Sequence, residues 1–122
     1  MIRGVVIHGD GVGKRLGYPT ANLDIKKDKI KLSPGVYATL AILNGKKHNA
    51  SLVIQSVSAR GLRRTRIFKV EVHLLDYIGE DFYGADLEVE AVEKVSEIAP
   101  FESEKELIEK IKRDVRLIRD VL

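Results

Sequence analysis

Cysteine and tryptophan are absent from this 122-residue chain, methionine occurs once and proline three times. Without cysteine there is no disulfide, no thiolate metal site and no thiol nucleophile. Such a chain suits a reducing compartment. Aromatic residues make up only 6%, and no apolar run approaches the roughly 18 residues that a membrane-spanning helix needs. A large excess of one charge sign is missing too. The 21 basic and 18 acidic side chains leave a net charge of +3, too little to argue for nucleic acid by itself. His8, His48 and His73 are scattered, so a histidine-rich zinc site is not expected. Internal repeats and low-complexity tracts are absent. Met1 to Asp10 are too few and too polar for a secretory signal, so the expectation is a soluble cytoplasmic protein.

What is present suits one domain, 1–122, with a single modest core: hydrophobic residues reach 44%. Gly4 to Ile7 read as a short β-branched strand. Val36–Leu43 and Lys47–Ile54 read as strands joined at Asn44-Gly45, a pair suited to the two positive φ angles of a type I′ turn. In Ile67–Leu75, Phe68, Val70, Val72 and Leu74 alternate with Lys69, Glu71 and His73, which puts the two sets on opposite faces. Ile78 to Asp81 read as a turn. Leu87, Val89 and Ala91 alternate with Glu88 and Glu90 as a further strand. Ser103 and Glu106 have the S-x-x-E spacing of a capping box. Leu107, Ile111, Val115, Ile118 and Leu122 then recur at helical spacing, with Glu109 and Arg113 as a surface pair. Several strands followed by one helix, with no βαβ unit, predict a small antiparallel barrel or sandwich with a helix packed against it.

Three segments can carry chemistry. Gly9 to Gly17 contain four glycines and Lys14. Glycines let backbone amides approach a phosphate, and the lysine adds charge. Arg15 stands where a Walker A loop needs Ser or Thr, and the Rossmann spacing is absent, so a plain hairpin loop is equally compatible with the residues. In Pro19-Thr20-Ala21-Asn22, an extended stretch aims the Thr20 hydroxyl and Asn22 amide to one side. Both are hard oxygen donors of the kind Mg²⁺ accepts, or else the caps of a local turn. Glu71, mid-strand on the polar face, can accept a proton from a hydroxyl if it faces a cleft, or can simply be solvated. The basic cluster Arg60, Arg63, Arg64 and Arg66, with Lys69 beyond, reads as a solvated loop or as a surface that meets a phosphate.

In order and spacing, these pieces resemble the riboflavin kinase family. The stretch Leu16-Gly17-Tyr18-Pro19-Thr20-Ala21-Asn22 is the most specific. Gly35-Val36-Tyr37-Ala38, Val70 to Asp76, Asp81-Phe82-Tyr83-Gly84 and Phe101-Glu102-Ser103 complete the match. The resemblance implies a mainly β fold: a six-stranded antiparallel Greek-key barrel with a C-terminal α-helix. It implies transfer of the γ-phosphate of a nucleoside triphosphate, ATP, to the 5′-hydroxyl of riboflavin to give FMN. Glu71 matches the catalytic base. Gly9, Lys14, Leu74, Asp76 and Tyr83 match nucleotide contacts. Thr20 and Asn22 match the Mg²⁺ positions, with Zn²⁺ or Mn²⁺ as substitutes. Phe101, Ser96 and Ala99 fall at the flavin.

Two stretches depart from the family pattern. Ser51 to Gly61 lacks the proline of the usual flap, and Ser96 and Ala99 stand near the flavin where an arginine and a lysine are usual. They leave open a non-catalytic flavin- or nucleotide-binding barrel, or a kinase for another small alcohol. The expected partners are riboflavin/FMN and ATP/ADP, with neither nucleic acid nor membrane, and the expected state is a monomer. No adenylyltransferase domain, often fused to this family in bacteria, lies within the 122 residues.

Overall fold

The strand and helix signals resolve into one barrel with a helix on its outside. A computed structural model describes residues 2–7, 20–25, 30–58, 66–77 and 82–122. Among these, the strands are β1 (Ile2–Ile7), β2 (Thr20–Asp24), β3 (Gly35–Leu43), β4 (Lys46–Ser58), β5 (Arg66–Leu74) and β6 (Asp86–Ser96). The helix α1 covers Glu104–Val121. All pairings are antiparallel, and the barrel closes in the order β1-β2-β5-β4-β3-β6. Strands β3, β4 and β5 neighbour one another in sequence order, and β6 returns to lie beside β3. This is the expected Greek key.

The period-two alternation decides which side chains fill the barrel. Phe68, Val70, Val72 and Leu74 turn inward with Ala21, Leu23, Leu52, Ile54, Leu87 and Val89 into one core. The opposite parity faces outward, as expected for Lys69, Glu71 and His73. At the β3–β4 hairpin Asn44 and Gly45 have φ of 51° and 79°, the positive pair the turn requires.

The outer face of β3 carries Val36 and Ala38, which cannot be left in water over so large an area. Helix α1 covers them through Ile118, with Leu75 beside it and Val115 at the margin. Ser103 caps the helix by accepting from the Glu106 amide at 3.2 Å, and the Glu106 carboxylate accepts from the Glu102 amide at 2.9 Å. A second anchor joins the far end of the helix to the end of β5. There Arg119 makes two hydrogen bonds to Asp76, at 2.8 and 3.0 Å.

Two expectations are revised. β6 runs to Ser96 rather than stopping near Ala91, because register shifts at Val36/Tyr37 and Ala38/Thr39 carry its pairing past the point where alternation ends. Ser51 to Gly61, aligned above with the family's flap, is strand β4 as far as Ser58. The rest of that segment, the Gly9–Gly17 loop, the Ile78–Asp81 turn and the arginines at 60, 63 and 64 lie outside the described residues.

Candidate active site

Strand pairing brings the separate signals of the sequence onto one line. On the outer surface, Asn22 of β2 is the direct partner of Glu71 of β5, and Glu71 is the partner of Val53 of β4. Val53 pairs with Val36 of β3, and Val36 with Ser96 of β6. The row Asn22–Glu71–Val53–Val36–Ser96 therefore crosses five strands. Cross-strand partners share a face, and strands lie about 4.8 Å apart. Asn22 thus adjoins Glu71, and Ser96 lies at most roughly 14 Å from Glu71 at three strand spacings. The Thr20 backbone pairs with His73, two residues along β5 from Glu71.

Glu71 is held between its strand neighbours. Its Oε1 lies 2.9 Å from Lys69 Nζ and its Oε2 lies 3.5 Å from His73 Nε2, with the carboxylate largely buried. Burial on its own would raise the Glu71 pKa. Hydrogen bonds from His73 and Lys69, together with their charges, outweigh it and bring the pKa below the ordinary glutamate value. The group is accordingly an ionised carboxylate near neutrality, the form a general base needs.

A cleft of about 260 Å³ opens between this face and helix α1. Val36, Val53, Ile98, Ala99, Phe101, Leu107 and Ile111 give it apolar walls, and Lys69, Glu71, His73, Lys110 and Asp114 give it polar ends. Apolar walls with a few convergent polar groups are the usual form of a small-molecule site. Half of Phe101 remains exposed at its mouth.

Of the candidate flavin positions, Ala99 and Phe101 line the cleft directly. Ser96 reaches it through Asp114, donating to Oδ1 at 2.8 Å. The candidate nucleotide positions lie elsewhere. Leu74 is fully buried in the barrel core, so only its main chain can meet a ligand. Asp76 is bound by Arg119, whose hydrogen bonds hold its carboxyl below the usual aspartate range. Tyr83 is exposed on the turn before β6. Gly9 and Lys14 lie outside the described residues.

Asn22, the cross-strand partner of Glu71, carries an amide oxygen, a hard donor of the kind that a cation takes. Among the described residues no three His, Cys, Asp or Glu side chains gather into a cage. A donor set this sparse fits Mg²⁺, which keeps waters and takes phosphate oxygens.

Lys110 and Asp114 were not among the candidates from sequence. They are four apart on α1, beside the apolar stripe, and that spacing was the available signal.

The family model described as riboflavin kinase (flavokinase) matches residues 1–122. The chain is 34% identical over 113 residues to a bifunctional riboflavin kinase/FMN adenylyltransferase of Bacillus subtilis, covering 93% of this chain and 35% of the relative. It is 31% identical over 119 residues to an RNA-binding riboflavin kinase of the same organism, covering 97% of this chain and 49% of the relative. It thus spans about a third to a half of the length of these curated relatives. Among solved structures, one titled a macrolide-efflux protein from Streptococcus pneumoniae superposes with a TM-score of 0.83 at 26% identity, over 96% of this chain and 37% of that one. With a family model matched along all 122 residues and relatives named riboflavin kinase, the chain belongs to the riboflavin kinase family.

Proposed function

We propose that this domain phosphorylates riboflavin, transferring the γ-phosphate of ATP to the ribityl 5′-hydroxyl to give FMN and ADP. The observation that carries this reading is the row of cross-strand partners that puts Asn22 next to Glu71 and continues beneath the apolar cleft to Ser96. A molecule with an alcohol at one end and a flat, largely apolar ring system at the other suits that layout.

In this mechanism the hydroxyl is seated against the Glu71 carboxylate. As oxygen attacks the γ-phosphorus, the O–H proton passes to Glu71, the new O–P bond forms, and the bond to the β-phosphate oxygen breaks to release ADP. Lys69 and His73 keep the carboxylate aimed and ionised before transfer. Phe101, Ala99 and the helix residues hold the ring and exclude water from it. Thr20 and Asn22 are the residues that would hold Mg²⁺, or Zn²⁺ or Mn²⁺ in its place, and when bound the ion supplies neutralisation of the phosphate charge. Gly9 and Lys14 would contact the nucleotide, with the Leu74 main chain, Asp76 and Tyr83 beyond. Positioning and electrostatics provide most of the acceleration in such transfers.

The proposed setting is a monomer in the cytoplasm with these small molecules as its partners. Nucleic acid and membrane are not part of the proposal, in keeping with a net charge of only +3. The test is to incubate the protein with riboflavin, ATP and Mg²⁺ and separate the products by chromatography. FMN and ADP in equal amounts are expected. Quenching of riboflavin fluorescence without FMN would instead select a binding barrel.

A further inference from the structure

Helix α1 carries a charged cluster that the phosphoryl transfer does not use. Asp114 is 6% exposed. Its Oδ1 accepts from Ser96 Oγ at 2.8 Å, and its Oδ2 from Lys110 Nζ at 2.7 Å. Lys110 Nζ also donates to Ser96 Oγ at 3.3 Å. Lys110 and Asp114 both line the cleft.

An ion pair in such a place is a poor way to glue a helix to a barrel. Removing two charges from water costs several kcal/mol per ion, and apolar side chains of similar size often do as well or better. The neighbouring turns do use apolar contacts, through Ile118 and Val115. The cluster also has capacity left over. Two of the three ammonium N–H groups are directed at Asp114 and Ser96, which leaves one donor. Each carboxylate oxygen has a second lone pair. One donor beside one acceptor, set in an otherwise apolar wall, is the complement of a ligand edge that carries a carbonyl next to an N–H.

The cluster is anchored at Ser96, three strands along the cross-strand row from Glu71. A substrate whose hydroxyl meets Glu71 therefore sends its far edge toward Lys110 and Asp114. We infer that Lys110 and Asp114 read the imide edge of the isoalloxazine, Lys110 donating to a ring carbonyl and Asp114 accepting from N3–H. This rests on the flavin reading above. It assigns the pyrimidinedione end of the ring, rather than the dimethylbenzene end, to this part of the cleft, because the latter has no polar atom to satisfy the pair.

The probes are riboflavin and 3-methylriboflavin, titrated separately against the whole chain with flavin fluorescence as the readout. Loss of a hydrogen bond to a charged acceptor should weaken 3-methylriboflavin by roughly ten- to a hundredfold in the wild type. In the variant Lys110→Met/Asp114→Leu the two flavins should bind within about twofold of each other. Should that variant not fold, ¹⁵N-labelled riboflavin bound to the wild type gives a second measurement, with the N3–H proton expected to be protected from exchange. Equal binding of the two flavins to the wild type, full discrimination in the double variant, or an unprotected N3–H overturns this assignment and leaves the kinase reading standing. Failure of the wild type to bind either flavin overturns both.

Discussion

The Lys110–Asp114 pair has a consequence for stability that can be worked from the structure. Asp114→Ala removes the carboxylate and leaves a lysine whose side chain is 14% exposed, with the Ser96 hydroxyl also losing its acceptor. Breaking a fully buried pair from one side costs about 3–5 kcal/mol. Here the two side chains keep 14% and 9% of their exposure, so some water reaches them and the loss is lessened. About 2–3 kcal/mol is the expected cost. For a domain of this size each kcal/mol moves the midpoint by roughly 4 °C, so the melting temperature should fall by about 8–12 °C. Lys110→Met/Asp114→Leu replaces both partners with apolar groups in an apolar wall. It should recover most of that loss, to within about 1 kcal/mol of the wild type, or exceed the wild type. Thermal unfolding followed by circular dichroism at neutral pH measures both. A double variant as unstable as Asp114→Ala would refute the reasoning, since the pair would then be needed for the fold and its retention would require no ligand.

Two further outcomes bear on the site. The Glu71 carboxyl has a lower pKa folded than unfolded, so its stabilising contribution is complete above the ordinary glutamate value of 4.5 and is lost as pH falls through that value and below. The melting temperature of the wild type relative to Glu71→Gln should therefore decline on acidification through this range, and a difference independent of pH from 7 to 3.5 would contradict the Lys69 and His73 contacts. Asn22→Ala should weaken Mg²⁺-ATP binding roughly tenfold in calorimetry by removing a polar ligand from the seat, with unchanged affinity counting against its metal role.

Much of this site was legible in the sequence because β-strands convert spacing into direction. The alternation from Phe68 to Leu74 fixed which way Glu71 points before any pairing was known. The positive-φ pair at Asn44-Gly45 and the cap at Ser103 marked a hairpin and a helix start by local chemistry alone. What could not be read was register. That Asn22 faces Glu71, and that Ser96 ends the same row, depends on how distant strands align, and no local pattern encodes it. The extension of β6 was hidden for a related reason: past Ala91 its side chains are mostly half-buried or exposed, and register shifts break the period. Asp114 was missed because a charged residue near a helical stripe reads as solvated. Only the packing of α1 against β6 turns it inward.

The central claim is that a single outward carboxylate acts on a hydroxyl beside a metal-bound triphosphate. The most direct test is the turnover of Glu71→Gln with saturating riboflavin, ATP and Mg²⁺, measured together with its affinity for the Mg²⁺-nucleotide. The account predicts a fall in kcat of about 10²- to 10⁴-fold with nucleotide affinity unchanged. A variant that makes FMN at the wild-type rate would contradict it.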